Sequence, residues 1–259
     1  MTAASDKHTT RLALITGASR GLGRNSALKL AEQGIDLIIT YKSNEAEAGE
    51  LVRRAQALGR RAQALQLDVA DSGSFAAFAE RVKKALAGTW QREQFDYLVN
   101  NAGSGVHASF AETTEAQFDL LVNVHLKSTF FLTQALLPLI KDGGRILNTS
   151  SGLARFSFPG YAAYAAMKGG VEVLTRYMAK ELGARGIAVN TIAPGAIETD
   201  FGGGTVRDNA PMNAQIAGVT AMGRVGLPDD IGSAVAALLS EGNVWMTGQR
   251  IEVSGGMML

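Results

Sequence analysis

Short apolar runs, several rich in β-branched residues, alternate along this chain with longer segments of helical period. Leu12–Thr16 reads as a buried first strand. Gly21–Gln33 follows as a helix with Ala27, Leu28, Leu30 and Ala31 on its inner face. The same pattern predicts strands at 35–41, 62–67, 95–100, 145–149, 187–192 and 250–253. Between them it predicts helices at 46–58, 72–87, 161–182 and 228–239, with Ser72 as a cap and Pro228 in a first turn. Residues 114–141 read as one long helix or two abutting ones. The strands are apolar almost throughout, as strands covered on both faces are. Sustained strand–helix alternation means parallel pairing with right-handed crossovers. The fold expected is α/β: a single-domain, doubly wound parallel sheet with helices on both faces.

Composition narrows the class. The 259 residues suffice for one large domain, and no repeat, low-complexity tract or linker divides them. Glycine is abundant at 30 residues against 5 prolines, which fits many tight strand–helix turns. Lys+Arg 25 against Asp+Glu 24 supplies no global field for nucleic acid or an anionic membrane. The absence of cysteine excludes disulfides, thiolate metal sites and a cysteine nucleophile. Residues 1–10 lack the apolar core of an export signal and are expected to form a flexible tail ahead of a domain at 11–259. The most apolar stretch, 129–140, is broken by Thr133, Gln134 and Pro138 and reads as too short to span a bilayer. A soluble cytoplasmic protein is expected.

Between the first strand and first helix lies Thr16-Gly-Ala-Ser-Arg-Gly-Leu-Gly23. Backbone N–H groups and the positive helix end at such a junction hold a pyrophosphate. Gly17 permits the sharp turn, Gly21 the close phosphate approach and Gly23 tight helix–strand contact. Ser19, Arg20 and Leu22 complete the loop. A site for NAD usually carries Asp or Glu after the second strand. Here Tyr41-Lys-Ser-Asn44 has no carboxylate until Glu45. Lys42 and Ser43, with Arg20, offer partners for a 2′-phosphate, so NADP(H) is expected over NAD(H).

Tyr164 and Lys168 lie four apart on a predicted helix and share a face. Ser151 closes the fifth strand's run at the carboxyl edge, where open α/β sheets bind ligands. The serine stands thirteen residues ahead of the tyrosine. With the glycine loop, Asn100-Asn-Ala-Gly103, Asn123 and Asn190-Thr-Ile-Ala-Pro-Gly195, the chain resembles a short-chain dehydrogenase/reductase. The likeness runs from about Arg11 to Met257 and implies a Rossmann-like fold and hydride transfer between NADP(H) and a ketone or secondary alcohol.

The resemblance assigns roles. Tyr164 is the general acid or base, with a phenol pKa lowered by the Lys168 ammonium and the positive oxidised nicotinamide together. Ser151 hydrogen-bonds the substrate oxygen, and Asn123 helps hold a water that relays protons to Lys168. Asp68 and Val69 contact adenine, and Asn101, Ala102 and Gly103 the adenosine side. Pro194, Gly195, Ile197 and Thr199 hold the nicotinamide amide and pyrophosphate. Asn190 is left as structural. Ser254 stands where family members often carry aspartate, at a position expected to be remote from the chemistry. The histidines lack metal-ligand spacing, so no metal is expected. His125, two residues from Asn123, falls on another helix face and is given a structural or solvated role.

Residues 201–217, opening on Phe201-Gly-Gly-Gly204, are expected to form a mobile lid over the substrate. Leu153, Phe156, Phe158, Tyr161 and Met212 are expected to give an apolar pocket wall. The nearest likeness is to 3-oxoacyl-carrier-protein reductases. Arg185 fits the docking of an acidic carrier, but Asp142 weakens that reading, and a free small-molecule carbonyl is preferred. A non-catalytic NADP(H) sensor is the alternative of another class. Relatives' habits imply a homotetramer, paired through 114–141, 161–182 and the C-terminal strand region. Val244, Trp245, Met257, Met258 and Leu259 suit its buried tail.

Overall fold

A computed structural model describes residues 10–259. The expected N-terminal tail lies outside the described residues save for Thr10, as does His8. Seven strands are β1 (Leu12–Ile15), β2 (Asp36–Tyr41), β3 (Ala62–Gln66), β4 (Phe95–Asn100), β5 (Ile140–Thr149), β6 (Ala188–Pro194) and β7 (Arg250–Val253). They pair in the order β3-β2-β1-β4-β5-β6-β7, every pair parallel. The order reverses beside β1, which opens a crevice at the carboxyl ends of β1 and β4.

Alternation along each strand builds two cores. Ala13, Ile15, Leu37, Ile39, Val99 and Leu147 face one side. They pack against α1 (Gly21–Glu32), α2 (Glu45–Ala57) and, late in the chain, α9 (Pro228–Leu238). Leu12, Leu14, Ile38, Leu98, Ile146 and Val189 face the other. There they meet α3 (Phe75–Ala85), α5 (Ser128–Leu136) and α6 (Ala162–Leu182). The short α4 (Glu115–Leu121), α7 (Thr205–Asp208) and α8 (Ala210–Gly218) complete the set.

Several local expectations are corrected. Ser72 does not cap α3; Asp71 instead accepts from the Gly73 N–H and starts a 3-10 turn at 72–74. The helical run expected at 114–141 ends at Leu139, and β5 begins at Ile140 rather than Arg145. Its register skips residues 141–144 between the pairs Phe95–Ile140 and Tyr97–Arg145, so Asp142-Gly-Gly is a bulge, not a turn before the strand. The helix also contains a π turn at Val122–Lys127 between α4 and α5. By length and composition Glu115–Leu139 is apolar enough to cross a membrane, contrary to expectation. It buries Leu121, Leu132 and Leu136, and α5 supplies part of the second core, which is how a core helix meets the same criterion.

Candidate active site

The glycine loop is built as its composition requires. Gly17 has φ +63° and Gly21 φ +57°, in the left-handed region that side chains avoid. A Cβ on Gly23 would come within 2.5 Å of Asn101 Nδ2 and 2.6 Å of the Gly17 carbonyl. Asn101 is a brace for this loop. Its Nδ2 donates to the Thr16 carbonyl at 2.9 Å, and the Asn101 and Ala102 N–H groups both donate to Thr16 Oγ1. Arg20 precedes α1 without a side-chain cap, and no acidic residue stands in the first turn. The first N–H groups of α1 therefore face the crevice end uncompensated, an arrangement that fits an anionic group such as a pyrophosphate.

At the end of β2, Lys42 reaches Asp68 at 2.8 Å, so two residues expected to touch different parts of the cofactor form an ion pair. That pairing helps to hold the Asp68 carboxyl below its usual range against its own burial. Val69 packs against the second core. Tyr41 ends β2 half-buried, with Ser43 exposed beyond it. Pro194 closes β6, the Gly195 N–H donates to the Val253 carbonyl, Ile197 bridges to Gly226, and Thr199 Oγ1 accepts from the Phe201 N–H. Ser254 packs against Gly195, on which a Cβ would come within 2.9 Å of it. Asn190 ties β6 to the chain before β7, donating to the Met246 carbonyl and accepting from the Gln249 N–H.

On α6 the inward stripe is Tyr164, Met167, Lys168, Val171, Thr175 and Ala179. Tyr164 and Lys168 are 7% and 4% exposed, and the Lys168 ammonium lies 5.5 Å from the centre of the phenol ring. Lys168 Nζ donates to the Thr149 carbonyl at 2.7 Å. Burial pulls its pKa down to about 7. Burial pushes the Tyr164 phenol well above its ordinary value, with Ser151 opposing and Tyr161 adding a little. Within the chain alone, desolvation outweighs what Ser151 offsets. Ser151 Oγ accepts from the Leu153 N–H at 3.2 Å, which leaves its own proton to donate. Arg250 anchors the serine's backbone, donating to the Ser151 carbonyl at 3.2 Å while its Nε holds Glu172 at 2.6 Å. Glu172 also accepts from the Ser150 hydroxyl.

Ser151, Tyr164 and Lys168 are thus brought together. The Asn123 side-chain amide makes no hydrogen bond among the described residues, while the Asn123 backbone carbonyl accepts from the Ser128 N–H across the π turn. His125, on the same π turn, also lies inward: it is 2% exposed, with its ring edge-on to Tyr164 at 5.2 Å. A solvated role for it is excluded. Sequence spacing missed it because a π turn rotates the faces of a helix relative to a 3.6-residue period.

Leu153 packs with Tyr164 and Met167, Phe156 meets Phe158 at 5.7 Å, and Tyr161 meets His107 at 5.0 Å. Phe201 stands 5.8 Å from the Tyr164 ring. Residues 201–218 are largely helical rather than irregular, and α8, which carries Met212, buries none of its residues.

The family model described as Enoyl-(Acyl carrier protein) reductase matches residues 17–258. The chain is 34% identical over 257 residues to a hydroxynaphthalene reductase-like protein of Metarhizium brunneum, covering 95% of this chain and 94% of that one. It is 36% identical over 252 residues to the 3-oxoacyl-acyl-carrier-protein reductase FabG of Staphylococcus aureus, covering 96% and 99%. Among solved structures, the angucycline C-6 ketoreductase LanV with bound NADP superposes with a TM-score of 0.91 at 33% identity, covering 96% of each chain. Fold, motif order and relatives agree: the chain is an oxidoreductase that belongs to the short-chain dehydrogenase/reductase family.

Proposed function

We propose that this protein is an NADP(H)-dependent carbonyl reductase acting on a ketone, or on a secondary alcohol in reverse. The observation that carries the reading is the burial of Tyr164 and Lys168 side by side, with the Ser151 hydroxyl beside the phenol, at the carboxyl edge of the sheet. When bound, the reduced nicotinamide supplies the hydride. Tyr164, kept protonated by its burial, donates its proton to the carbonyl oxygen. Ser151 donates a hydrogen bond to the same oxygen, where charge develops. Lys168, fixed by the Thr149 carbonyl, supplies positive charge beside the phenolate that forms.

The residues assigned to the cofactor are the loop at Gly17, Ser19, Arg20, Gly21, Leu22 and Gly23, with Tyr41, Lys42, Ser43, Asp68 and Val69 at the adenosine end. Asn101, Ala102, Gly103, Pro194, Gly195, Ile197 and Thr199 complete the set, with Tyr164 and Lys168. Arg20 and Lys42, with no carboxylate at the end of β2, favour a 2′-phosphate, as does the NADP bound to LanV. We keep the cytoplasm as the proposed location, where NADPH is held reduced. Phe201 and α8 form the lid, whose opening breaks few buried contacts.

By name, one relative is a hydroxynaphthalene reductase-like protein, one an angucycline C-6 ketoreductase and one a 3-oxoacyl-carrier-protein reductase. Arg185 favours the free substrate. Its Nε donates to Asp142 at 2.7 Å and its other nitrogens to the Leu137 and Ile140 carbonyls, so three of its five N–H donors are already engaged. Exposed Phe130, Phe131, Val173 and Tyr177 on the α5–α6 side, and Val244, Trp245 and Leu259 near the C-terminus, support a homotetramer.

Tyr164→Phe tests the reading. It should still bind NADPH, seen as fluorescence enhancement, while turnover of a ketone panel falls by ~10²–10⁴-fold. Normal turnover in that variant, or preference of the unmodified enzyme for NADH, overturns the corresponding assignment.

A further inference from the structure

The chemistry proposed above makes no use of His125, yet it is among the most buried titratable groups in the molecule. The π turn that carries it inserts the imidazole between the loop after β4 and the Tyr164 face of α6. His125 Nε2 lies 2.8 Å from the Ser104 carbonyl. A carbonyl only accepts, so this nitrogen carries the hydrogen. Burial, with the Lys168 charge adding to it, holds the ring's pKa down to about 3, so it is neutral across the working range. Nδ1 is then a bare lone pair. It is buried and has no hydrogen-bond partner among the described residues, and the Ser104 hydroxyl is also buried without one there. Gly103 closes the other side: a Cβ there would stand 3.0 Å from His125 Cε1 and 3.5 Å from Nδ1.

Two unpartnered polar atoms thus sit on residues in contact, and the imidazole and the Lys168 ammonium both stand against the Tyr164 ring, at 5.2 and 5.5 Å from its centre. Buried polar groups rarely go unsatisfied, and a water needs two to four polar partners to occupy such a place. Nδ1 offers an acceptor, Ser104 Oγ a donor or acceptor, and Lys168 Nζ has donors left after Thr149. We propose that His125, fixed as its Nε2–H tautomer by the Ser104 carbonyl, is a positioning residue whose Nδ1, with the Ser104 hydroxyl, holds a water molecule on the polar side of the Tyr164–Lys168 pair. The water accepts from the ammonium and donates to Nδ1, so the imidazole supports the charged form of Lys168 without itself titrating. The titratable groups that face it are Tyr164 and Lys168 on α6; the β4 loop contributes Gly103 and Ser104, which are not titratable.

The inference rests on the reductase reading for its effect on turnover, and one readout is independent of activity. In nitrogen-15 spectra of the unmodified enzyme, the Nδ1 resonance of His125 should be displaced from the position of a free imine nitrogen by an accepted hydrogen bond. A free-imine position overturns the proposal whatever the enzyme reduces. Among variants, His125→Leu removes the acceptor, and His125→Asn places an amide oxygen near the former Nδ1. His125→Leu should lose roughly 10- to 100-fold in kcat with KM for NADPH little changed, and the alkaline limb of its pH profile should move to lower pH as Lys168 loses support. His125→Asn should restore most of kcat and the position of that limb. Equal impairment of both variants while folded, or an unmoved pH limb in His125→Leu, assigns the histidine to packing alone and overturns the proposal. If His125→Leu does not fold, the nitrogen-15 resonance and the His125→Asn profile decide.

Discussion

Lys168 shows how a functional side chain is held against its own preference. Its pKa falls from the ordinary 10.5 to about 7 because the ammonium is desolvated. The unfolded chain therefore binds more protons than the folded one between those values, and stability should rise with pH across that window. Below about pH 7 the charged lysine costs the fold about 5 kcal/mol, since each tenfold loss of proton affinity is worth ~1.4 kcal/mol. Replacement by methionine removes that cost but leaves the Thr149 carbonyl unpartnered, a loss of about 1–3 kcal/mol. The first effect wins at low pH. Lys168→Met should be inactive yet melt higher than the unmodified enzyme at pH 6, with the advantage shrinking or reversing by pH 10. A melting difference that does not change with pH would refute the buried-charge account. The pair Tyr164 and Lys168 is legible from a four-residue spacing, because α6 is regular there. His125 is not, since nothing in Val122-Asn-Val-His-Leu-Lys127 announces a π turn, and a regular helix puts a residue two places from Asn123 on another face.

At the level of elements, the glycine loop is where sequence and packing agree most closely. A methyl group on Gly23 meets two backbone neighbours, the Gly17 oxygen at 2.6 Å and Ala18 Cα at 2.9 Å, besides Asn101 Nδ2. Backbone cannot rotate aside as a long side chain can. Gly23→Ala should cost about 1–3 kcal/mol in urea unfolding and weaken NADPH binding, because α1 must withdraw from β1. Gly88→Ala is the control: a Cβ there meets nothing within 4 Å, and it should leave both measurements nearly unchanged. Equal effects at the two sites would show that the loop is not close-packed. The strands are readable for a related reason. Leu12–Ile15, fully buried on both faces, has no polar residue to confuse its period. Where polar and glycine residues enter an element, the reading fails. Asp142-Gly-Gly looks like a turn in sequence because a bulge inside β5 uses the same residues. The segment after Thr199 looks like irregular chain, although Asn209 caps α8 by accepting from the Met212 N–H and Pro211 sits in its first turn. Glycines with φ of +62°, +76° and +78° at 202–204 lead into α7, and Asn209 alone separates α7 from α8.

For the whole molecule, the decisive feature is apolar surface that one chain leaves uncovered. Trp245 is 97% exposed beside Val244 at 72%, Leu259 is 94% exposed, and Phe130, Phe131 and Tyr177 lie open on α5 and α6. Single exposed apolar residues are ordinary, but contiguous ones mark an interface. Two separate patches are what a dihedral tetramer needs, since each of its interfaces is self-complementary. The two tryptophans make this measurable. Trp90 is 4% exposed and donates to Asp36, so a collisional quencher cannot reach it in any assembly. Quenching by acrylamide therefore reports Trp245 alone. In the tetramer Trp245 should be shielded, and light scattering should give four times the 27.2 kDa chain. Trp245→Arg should halve that mass and leave the α5–α6 pairing intact. Phe131→Arg with Tyr177→Arg should halve it while Trp245 stays shielded. A monomer whose Trp245 is freely quenched would instead place these faces in solvent, and the two long helices would then owe nothing of their geometry at Tyr164 and Lys168 to a second copy of the chain.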